Sequence, residues 1–503
     1  MKNFSRKLTS LLASRTFFYV VLGFFIFEAV WFVVSAMYPM PFDEDFHFGV
    51  IKIYAEQWSP FLTAQPEGAD KFGALVHDPS YLFHYLMSFP YRFISLFTQS
   101  EWIQVVFLRF INVALFTWSL VLFRRVLRRA KTSDALINTA LALFVLIPVA
   151  PQLAAHINYD NLLMVLVAWM FLVTFRLIES FRERRVDMVA LLAFVGICLF
   201  TSVVKYAALP ILGVTALFIA GVAFWSFRGK GKRFLYRVKD DYLRIEQRAK
   251  VVLLVVLGIG LVLFAQRYIV NLVQYHHPVP DCGKVLTAEQ CKQYGPWGRD
   301  YYLEQNKPAD FGPNIPWFLD QWWKGMRHRL FFAINGSHAS YTNYTELPVP
   351  VRTATVIVAV GVLATVIWWR PVFRNNMYYV LFSLVILGYV IILLNDQLSS
   401  YKQTAEPVAI NGRYLLPIAL PLAALMGSGI ASGLRKFKAE AAKPFLASIA
   451  ILLFLHGGGI LTFILRSDES WYWPDQTIRN INQSARTIID PIIYEGDRHA
   501  KWD

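Results

Sequence analysis

Charged residues are scarce in this sequence: Asp, Glu, Lys and Arg make up only 17% of its 503 residues. Soluble globular proteins carry about 25%. Hydrophobic residues reach 56% and the mean hydropathy is +0.42, which excludes the roughly three soluble domains that this length would otherwise suggest. A disordered chain is excluded as well, because the sequence contains 41 Phe, 24 Tyr and 15 Trp. The composition therefore predicts a polytopic membrane protein.

Nucleotide-binding motifs and internal repeats are also missing. The sequence has neither a Walker loop nor a dinucleotide fingerprint behind a strand. It shows no pair of Gly- or Pro-interrupted spans in its two halves, the pattern typical of secondary transporters. If the protein is an enzyme, its substrate must therefore arrive already activated.

Cysteine is rare too, with three residues in the whole chain. Cys282 and Cys291 lie in a long predicted outer loop, whereas Cys198 lies inside an apolar span. Two nearby cysteines outside the cytoplasm are typical of a disulfide, which we predict here. Metal binding is the alternative, but neither a Cys-x-x-Cys spacing nor a nearby His pair supports it.

Apolar runs of about twenty residues, the length that crosses a bilayer, fill most of the chain. Each is predicted to be a helix, because backbone polar groups cannot stay unpaired in lipid. The predicted fold is an all-α polytopic membrane protein with about eleven transmembrane helices, plus extracytoplasmic juxtamembrane helices and loops. The predicted spans are 16–38, 102–123, 134–150, 161–178, 187–204, 206–226, 251–270, 351–369, 377–394, 414–433 and 444–465.

Lys and Arg concentrate on one side of this arrangement, which predicts its orientation. Short connections on the predicted inner side hold 27 of the 49 Lys and Arg residues. We therefore expect an integral protein of a bacterial plasma membrane, with a cytoplasmic N-terminus and an extracytoplasmic C-terminus. The net charge of +15 is then explained mostly by topology. We expect the anionic headgroups of membrane lipids to be the partners of these basic residues, and we expect no binding of nucleic acid.

The long segments outside the membrane define the predicted organisation, because loops of this length usually carry function. The predicted parts are an N-terminal transmembrane module 1–270 with its first outer loop 39–101, an extracytoplasmic loop 271–350, C-terminal helices 351–465 and an extracytoplasmic tail 466–503.

The first outer loop opens with Asp43, Glu44, Asp45 and His47, an acidic run that is costly to keep beside lipid. One interpretation is a helix start, with Asp43 as the cap and Glu44 and Asp45 at the positive end of the helix dipole. The other is a catalytic group in which Asp43 is a general base and His47 lies beside it, one helical turn later. The residues alone do not separate the two interpretations.

This run, Asp43-Glu44-x-x-His47 directly after the first span, resembles the acidic first-loop motif of the GT-C superfamily of membrane glycosyltransferases. The stretch from His77 to Tyr85 resembles the superfamily's next juxtamembrane motif, although Asp78 and Ser80 replace expected residues. Three further segments are similar to a bacterial branch of that superfamily, namely Asn158-Tyr159-Asp160-Asn161, Lys205-Tyr206-x-x-Leu209-Pro210 and Asn411-Gly412-Arg413-Tyr414-Leu415-x-Pro417.

The resemblance implies transfer of a sugar from a polyprenyl-phosphate donor to a hydroxyl of a glycan or lipid-linked acceptor, on the extracytoplasmic face. It implies that Asp43 is the catalytic base, with Glu44 and His47 beside it. The residues of these segments that we expect to contact substrate are Asp45, His77, Asp78, Tyr81, Tyr159, Asp160 and Asn161.

Cations at predicted outer helix ends suit the phosphate of such a donor. We predict that Arg413 and Lys205 hold the phosphate, because a guanidinium binds it through two parallel hydrogen bonds. Tyr414 and Arg109 are expected beside them. Snorkelling to water is the alternative for the two cations. Arg109 lies within an apolar span, as does Glu28, and an ion pair between these two is the alternative for Arg109.

Other functions and cofactors stay open at this stage. A transporter or flippase of a lipid-linked sugar is the alternative from another class, and a protein O-glycosyltransferase is the alternative among enzymes. We predict no metal site, although the carboxylates of the first loop leave a divalent cation as an option.

Overall fold

A computed structural model describes residues 2–41, 43–229, 231–331, 349–374, 376–467 and 469–492. Its regular secondary structure in these ranges is helical, apart from one antiparallel bridge between Ala36 and Tyr472. The chain is therefore all-α, as predicted from its apolar runs.

The helices within the described ranges follow in chain order. The first twelve are α1 (Lys2–Ala13), α2 (Arg15–Ser35), α3 (Glu44–Ala55), α4 (Leu82–Ser95), α5 (Glu101–Arg129), α6 (Asp134–Val145), α7 (Val149–Ala154), α8 (Asp160–Arg182), α9 (Met188–Val204), α10 (Leu209–Phe227), α11 (Gly231–Leu243) and α12 (Gln247–Phe264). The rest are α13 (Val270–Tyr275), α14 (Cys282–Val285), α15 (Ala288–Cys291), α16 (Gly295–Gln305), α17 (Ile315–Phe331), α18 (Val349–Ile367), α19 (Trp369–Phe373), α20 (Met377–Thr404), α21 (Leu416–Lys436), α22 (Lys443–Leu455), α23 (Ile460–Arg466) and α24 (Gln476–Ile489).

Long apolar helices mark the chain as an integral membrane protein. Eight helical stretches among the described residues are long and apolar enough to cross a bilayer. Three shorter apolar helices, α6, α9 and the part of α18 from residue 351, coincide with the remaining predicted spans. The structure thus places an apolar helix at every predicted span, while the count of about eleven crossings stays a prediction.

Two interrupted helices meet inside the bundle, a feature that the sequence analysis missed. The α6–α7 interruption contains Pro148, which has no N–H to donate, and the α22–α23 interruption contains Gly459 at φ +56°. The backbone N–H of Gly459 donates to the carbonyl of Leu146 at 2.8 Å. The carboxylate of Glu28 accepts from the N–H of Ile460 at 2.9 Å and so stabilises the start of α23.

The first loop folds against the end of the bundle instead of extending away from it. Phe48 and Ile51 of α3 share one apolar core with Phe83 of α4 and with Leu108 of α5. A second and larger core joins α2, α5–α10 and α20–α21. The helices α8, α10 and α21 all begin at the end of the bundle that carries the first loop, which we call the Asp43 end.

Candidate active site

Asp43 stands at the entrance to α3 with its carboxylate turned away from the helix. Its backbone has φ +72°, and its side chain makes no capping hydrogen bond to α3. The predicted side-chain cap is therefore wrong, although α3 does begin at Glu44 and carries Glu44 and Asp45 in its first turn, as the helix-start interpretation expected. The carboxylate instead forms an ion pair with Arg413, with 2.6 Å between Oδ2 and Nη2, and is 54% exposed.

Glu44 is fully buried and points to the opposite side of the loop. Arg109 binds it with two parallel hydrogen bonds, 2.8 Å from Nε to Oε1 and 2.7 Å from Nη2 to Oε2. Burial alone would raise the pKa of Glu44, but the charge and hydrogen bonds of Arg109 hold this pKa below its ordinary value. The backbone N–H of Met40 also donates to Glu44.

This pair changes the expectations for Arg109. The predicted Glu28–Arg109 pair is wrong, because Glu44 is closer and Glu28 is occupied at the start of α23. Arg109 also donates to the carbonyl of Ala36 at 2.5 Å and has no exposed surface. It fastens the loop to the bundle and offers no free face to a phosphate. Asp45, in contrast, is exposed on the first turn of α3.

Arg413 reaches Asp43 from a tight turn that precedes α21. The turn spans Gly412–Leu415, and the side chain of Asn411 accepts a hydrogen bond from the N–H of Arg413 at 3.0 Å. Gly412 is required by close packing, since an added Cβ would lie 2.4 Å from the carbonyl oxygen of Met326. The guanidinium is thereby held at the Asp43 end with only 5% of the side chain exposed.

Lys205 forms the second ion pair of the site. It sits in an extended residue between α9 and the turn Tyr206–Ala208, so the two adjoining spans are separate helices. Its ammonium lies 2.5 Å from Oδ1 of Asp160 and 4.4 Å from the ring centre of Tyr159.

Tyr414 connects the two cations. Its ring centre lies 5.0 Å from the ammonium of Lys205 and 5.4 Å from the guanidinium carbon of Arg413. The predicted residues Asp43, Tyr159, Asp160, Lys205, Arg413 and Tyr414 are thus brought together from four separate segments.

Asn161 does not face this group but stabilises the backbone next to it. Its side-chain amide donates to Asn112 at 2.9 Å and to the carbonyls of Leu153 and His156, and it is fully buried. It therefore fixes the turn before α8, and its amide nitrogen binds protein atoms. Asp160 is the first residue of α8, and its carboxylate accepts from Lys205 through Oδ1, while Oδ2 is buried without a hydrogen-bond partner among the described residues.

The second motif fastens the loop to α12 and α13. Nδ1 of His77 bonds Oδ1 of Asn271 at 2.8 Å, and Oδ1 of Asp78 accepts from the N–H of Ser80 at 2.8 Å. The hydroxyl of Tyr81 donates to the carbonyl of Leu263, and its ring packs under the guanidinium of Arg267 at 4.6 Å. Burial raises the pKa of Asp78.

His47 does not lie against Asp43 as its spacing predicted. Its N–H bonds the carbonyl of Asp43 at 3.0 Å, which is an ordinary helical bond, but its ring bonds His84. The ring also contacts Tyr159, with 4.5 Å between ring centres. The imidazole therefore faces the site from beneath the loop.

The predicted outer loop contributes a residue that the sequence analysis missed. Cys282 and Cys291 are joined by a disulfide, as predicted, while Cys198 is free. Tyr294 follows this bridge and packs on Phe46, with 6.2 Å between ring centres. Burial and the nearby carboxylates of Asp78 and Asp43 raise the pKa of the Tyr294 hydroxyl.

Arg267 and His84 were also missed, although the sequence offered a signal for each. Arg267 is a charged residue inside an apolar run, which is a functional candidate by default. His84 belongs to the second motif already singled out. Tyr294 carries no such signal, because only the folded loop brings it to the site.

The arrangement suits anion binding and proton transfer more than metal binding. Among the described residues no group of three or more His, Cys, Asp and Glu side chains is placed to hold a metal ion. The carboxylates of Asp43, Glu44 and Asp160 each face a cation of the protein. Comparison of the chain with protein-family models, with curated proteins and with solved structures found no match in any of the three.

Proposed function

We propose that this protein is a membrane glycosyltransferase of the GT-C type, which moves a sugar from a polyprenyl-phosphate donor to an acceptor hydroxyl on the extracytoplasmic face. The observation that carries the proposal is the convergence of two buried cations, Arg413 and Lys205, around Tyr414 at the Asp43 end. Buried cations at the level where apolar helices begin match a phosphate held at the membrane surface.

Helix dipoles add to this positive potential. The helices α8, α10 and α21 all start at the site, and the N-terminus of a helix attracts anions. As the sugar is transferred, the departing phosphate gains negative charge. Arg413 and Lys205 are placed to stabilise that charge, which would lower the barrier.

An apolar groove of about 750 Å³ between α10 and α20 suits the lipid tail of the donor. Its near end, Val214, lies nine residues beyond Lys205, about 13 Å along a helix. Tyr389 follows the groove residue Gly388 and lies within electrostatic reach of Asp160. The groove is lined chiefly by Val214, Leu217, Phe218, Leu384, Leu387 and Gly388.

Asp43 is the residue we assign as general base. Its carboxylate is half exposed and so can meet an acceptor hydroxyl, whereas Glu44 has both oxygens occupied by Arg109 and backbone N–H groups. The hydroxyl oxygen would form the bond to the anomeric carbon while the bond to phosphate breaks. The hydroxyl proton would pass to Asp43, and the bonding electrons to the phosphate.

A transporter or flippase of a lipid-linked sugar is the second candidate. The meeting of two interrupted helices at Gly459 and Leu146, with the carboxylate of Glu28 beside them, favours it, since transporters place their sites at such interruptions. The ion pairs of the site lie at the Asp43 end and not at this interruption, which is why we prefer transfer.

Undecaprenyl phosphate, the sugar-free product, tests the phosphate site without knowledge of the sugar. We expect the wild type in nanodiscs to bind it, Arg413→Ala to weaken binding by at least about tenfold, and Arg413→Lys to restore only part of the loss. Arg299→Ala, at an exposed arginine of the second loop, is the matched control. Equal affinity in all four proteins would contradict the assignment of Arg413.

Turnover distinguishes the two candidate functions. The wild type is incubated with a panel of undecaprenyl-phosphate hexoses and pentoses and with membrane glycan and lipid acceptors. Release of undecaprenyl phosphate supports transfer. Movement of the intact donor across a liposome bilayer, without release from any member of the panel, would overturn the transferase proposal and favour the flippase.

A further inference from the structure

A second cavity lies where the chain leaves α2 and runs towards Asp43. Its walls come from the end of α2, the segment 36–41, α7, α23 and the turn Glu469–Trp471. None of these elements lines the apolar groove between α10 and α20, so the two spaces are separate. The cavity has a volume of about 260 Å³, just below the roughly 300–1,000 Å³ typical of drug-sized ligands. It therefore has room for one small ring.

This cavity is open to the outside of the protein. Met37 and Ser470 line it and are exposed, whereas Phe32 lines it and is buried. A ligand can therefore enter from the surface at the Asp43 end and reach the interior. Pro41 also lines the cavity and lies two residues before Asp43, so a bound ligand would be next to the residue that we assign as the base.

A buried amide lines the interior of the cavity. Gln152 is the one polar side chain of α7 and is only 2% exposed. Its Oε1 is buried and has no hydrogen-bond partner among the described residues, and no other described residue that lines the cavity has such an atom. Burying a polar atom without a partner is costly, so the amide requires a partner that enters the cavity.

The rest of the lining limits the chemistry of that partner. Backbone groups of the walls are bonded within the protein, since the N–H of Met37 donates to the carbonyl of Trp471 at 2.8 Å and the carbonyl of Pro41 bonds Nε2 of His156. No charged side chain lines the cavity among the described residues, in contrast with the two cations at the phosphate site. The cavity therefore suits a neutral ligand with both apolar and hydrogen-bonding surface.

A sugar ring combines these two kinds of surface. The C–H groups of its faces are apolar and can pack on the rings of Phe32 and Trp471. Its hydroxyls can donate to the oxygen of a primary amide or accept from the nitrogen. A lipid-linked phosphate is unsuited, because nothing in this lining neutralises its charge. The donor and the occupant of this cavity are therefore different molecules.

We propose that this cavity binds the sugar ring of the acceptor, with the amide of Gln152 bonding a ring hydroxyl and the reacting hydroxyl directed past Pro41 to Asp43. The inference rests on the proposed function, which makes the bound sugar an acceptor. Binding of a neutral sugar follows from the cavity itself and can be tested without turnover.

A panel of neutral methyl hexosides and methyl N-acetylhexosaminides tests the sugar site. We expect saturation-transfer NMR to show that at least one binds to the wild type in nanodiscs. Gln152→Leu, which removes the amide at nearly constant volume, should raise its Kd by at least about fivefold. Ser470→Trp should do the same by filling the opening. Thr477→Trp, at an exposed residue of α24 outside the cavity, is the matched control.

The outcomes of this experiment are distinct. Absence of binding to the wild type, or equal affinity in all four proteins, would overturn the proposal. The last result would also mean that the amide of Gln152 binds only water. The Kd for undecaprenyl phosphate should be the same in the four proteins, because the cavity shares no element with the apolar groove.

Turnover separates this inference from the proposed function. With the donor and acceptor that the wild type uses, Gln152→Leu should raise the KM for the acceptor by at least about fivefold and leave the KM for the donor unchanged. An unchanged acceptor KM would overturn the inference while transfer itself stands. Binding of a methyl glycoside at Gln152 without turnover by the wild type would support the sugar site and contradict the proposed function.

Discussion

Asp43 and Glu44 are adjacent in the chain but occupy opposite environments. Asp43 is half exposed and faces one cation through one oxygen, whereas Glu44 is buried and saturated by Arg109 and the backbone. The difference arises because Asp43 takes a left-handed backbone conformation that turns its side chain away from α3. One residue of the acidic run is thus available for chemistry and its neighbour holds the loop in place.

Asp43→Asn tests the base. Asparagine tolerates positive φ and fills the same space, but it cannot accept the proton. We expect folded protein that still binds undecaprenyl phosphate and turns over donor at least about a hundredfold more slowly. Asp45→Asn, on the exposed side of the same turn, should retain turnover within about threefold. An Asp43→Asn protein with normal turnover would contradict the assignment of Asp43 as the base and would leave the loop with a structural role.

Glu44→Gln tests the structural pair. The amide leaves a buried guanidinium without its counter-charge, so the free energy of unfolding should fall by about 3–5 kcal/mol. The same change at Glu101, whose pair with Lys52 is exposed, should cost less than about 1 kcal/mol. Denaturant titrations of the two variants in one detergent compare them. Because the folded-state pKa of Glu44 is depressed, its contribution is present above the ordinary pKa and lost as pH falls through the folded one.

The sequence could show which residue types carry the site but not how they pair. Arg413 meets Asp43 across 370 residues of chain, and no local pattern encodes that contact. The pairing of Arg109 was predicted with Glu28 because both lie in apolar spans. Arg109 pairs with Glu44 instead, and the N–H of Met40 donates to the same carboxylate, contacts that only the folded loop creates. His84 was visible as a motif residue, while its contact with His47 was not.

At the level of secondary-structure elements, the candidate site is determined by where helices begin more than by how long they are. The helices α8, α10 and α21 begin within a few residues of Asp160, Lys205 and Arg413, so each of these candidate side chains is fixed by a rigid element. Hydropathy located these helices, because apolar runs of sufficient length must be helical in lipid. The interruptions at Pro148 and at the glycine run that ends in Gly459 were not predicted, since Pro and Gly are frequent in membrane helices.

Gly221→Phe tests the groove between α10 and α20. An added Cβ at Gly221 meets no atom within 4 Å, so the ring can enter the groove without moving the backbone. We expect the affinity for undecaprenyl phosphate to fall by about tenfold, because part of the lipid chain loses its contacts. Gly213→Phe is the matched control, as it has equal space on α10 but lies outside the groove. Equal affinities would place the tail elsewhere.

For the whole molecule, the C-terminal segment and the candidate site share one end of the bundle. Asn482 of α24 donates to the hydroxyl of Ser35 at 3.0 Å and accepts from the indole of Trp31 at 2.9 Å, so α24 packs on the end of α2 that leads into Asp43. The charge distribution predicts that this end is extracytoplasmic. The side of the membrane on which α24 lies therefore decides the side of the site.

Cysteine labelling at Ser484 settles that orientation. Ser484 is exposed on α24, and Gln247 is exposed at the start of α12, at the opposite end of the bundle. In a Cys198→Ser background, an impermeant maleimide added to sealed cells should label Ser484→Cys at once and Gln247→Cys only after permeabilisation. We expect this pattern because the 27 Lys and Arg residues in short connections predict that the other end is cytoplasmic. The reverse pattern would place Asp43, Arg413 and Lys205 inside, where a polyprenyl-phosphate donor on the outer leaflet cannot reach them.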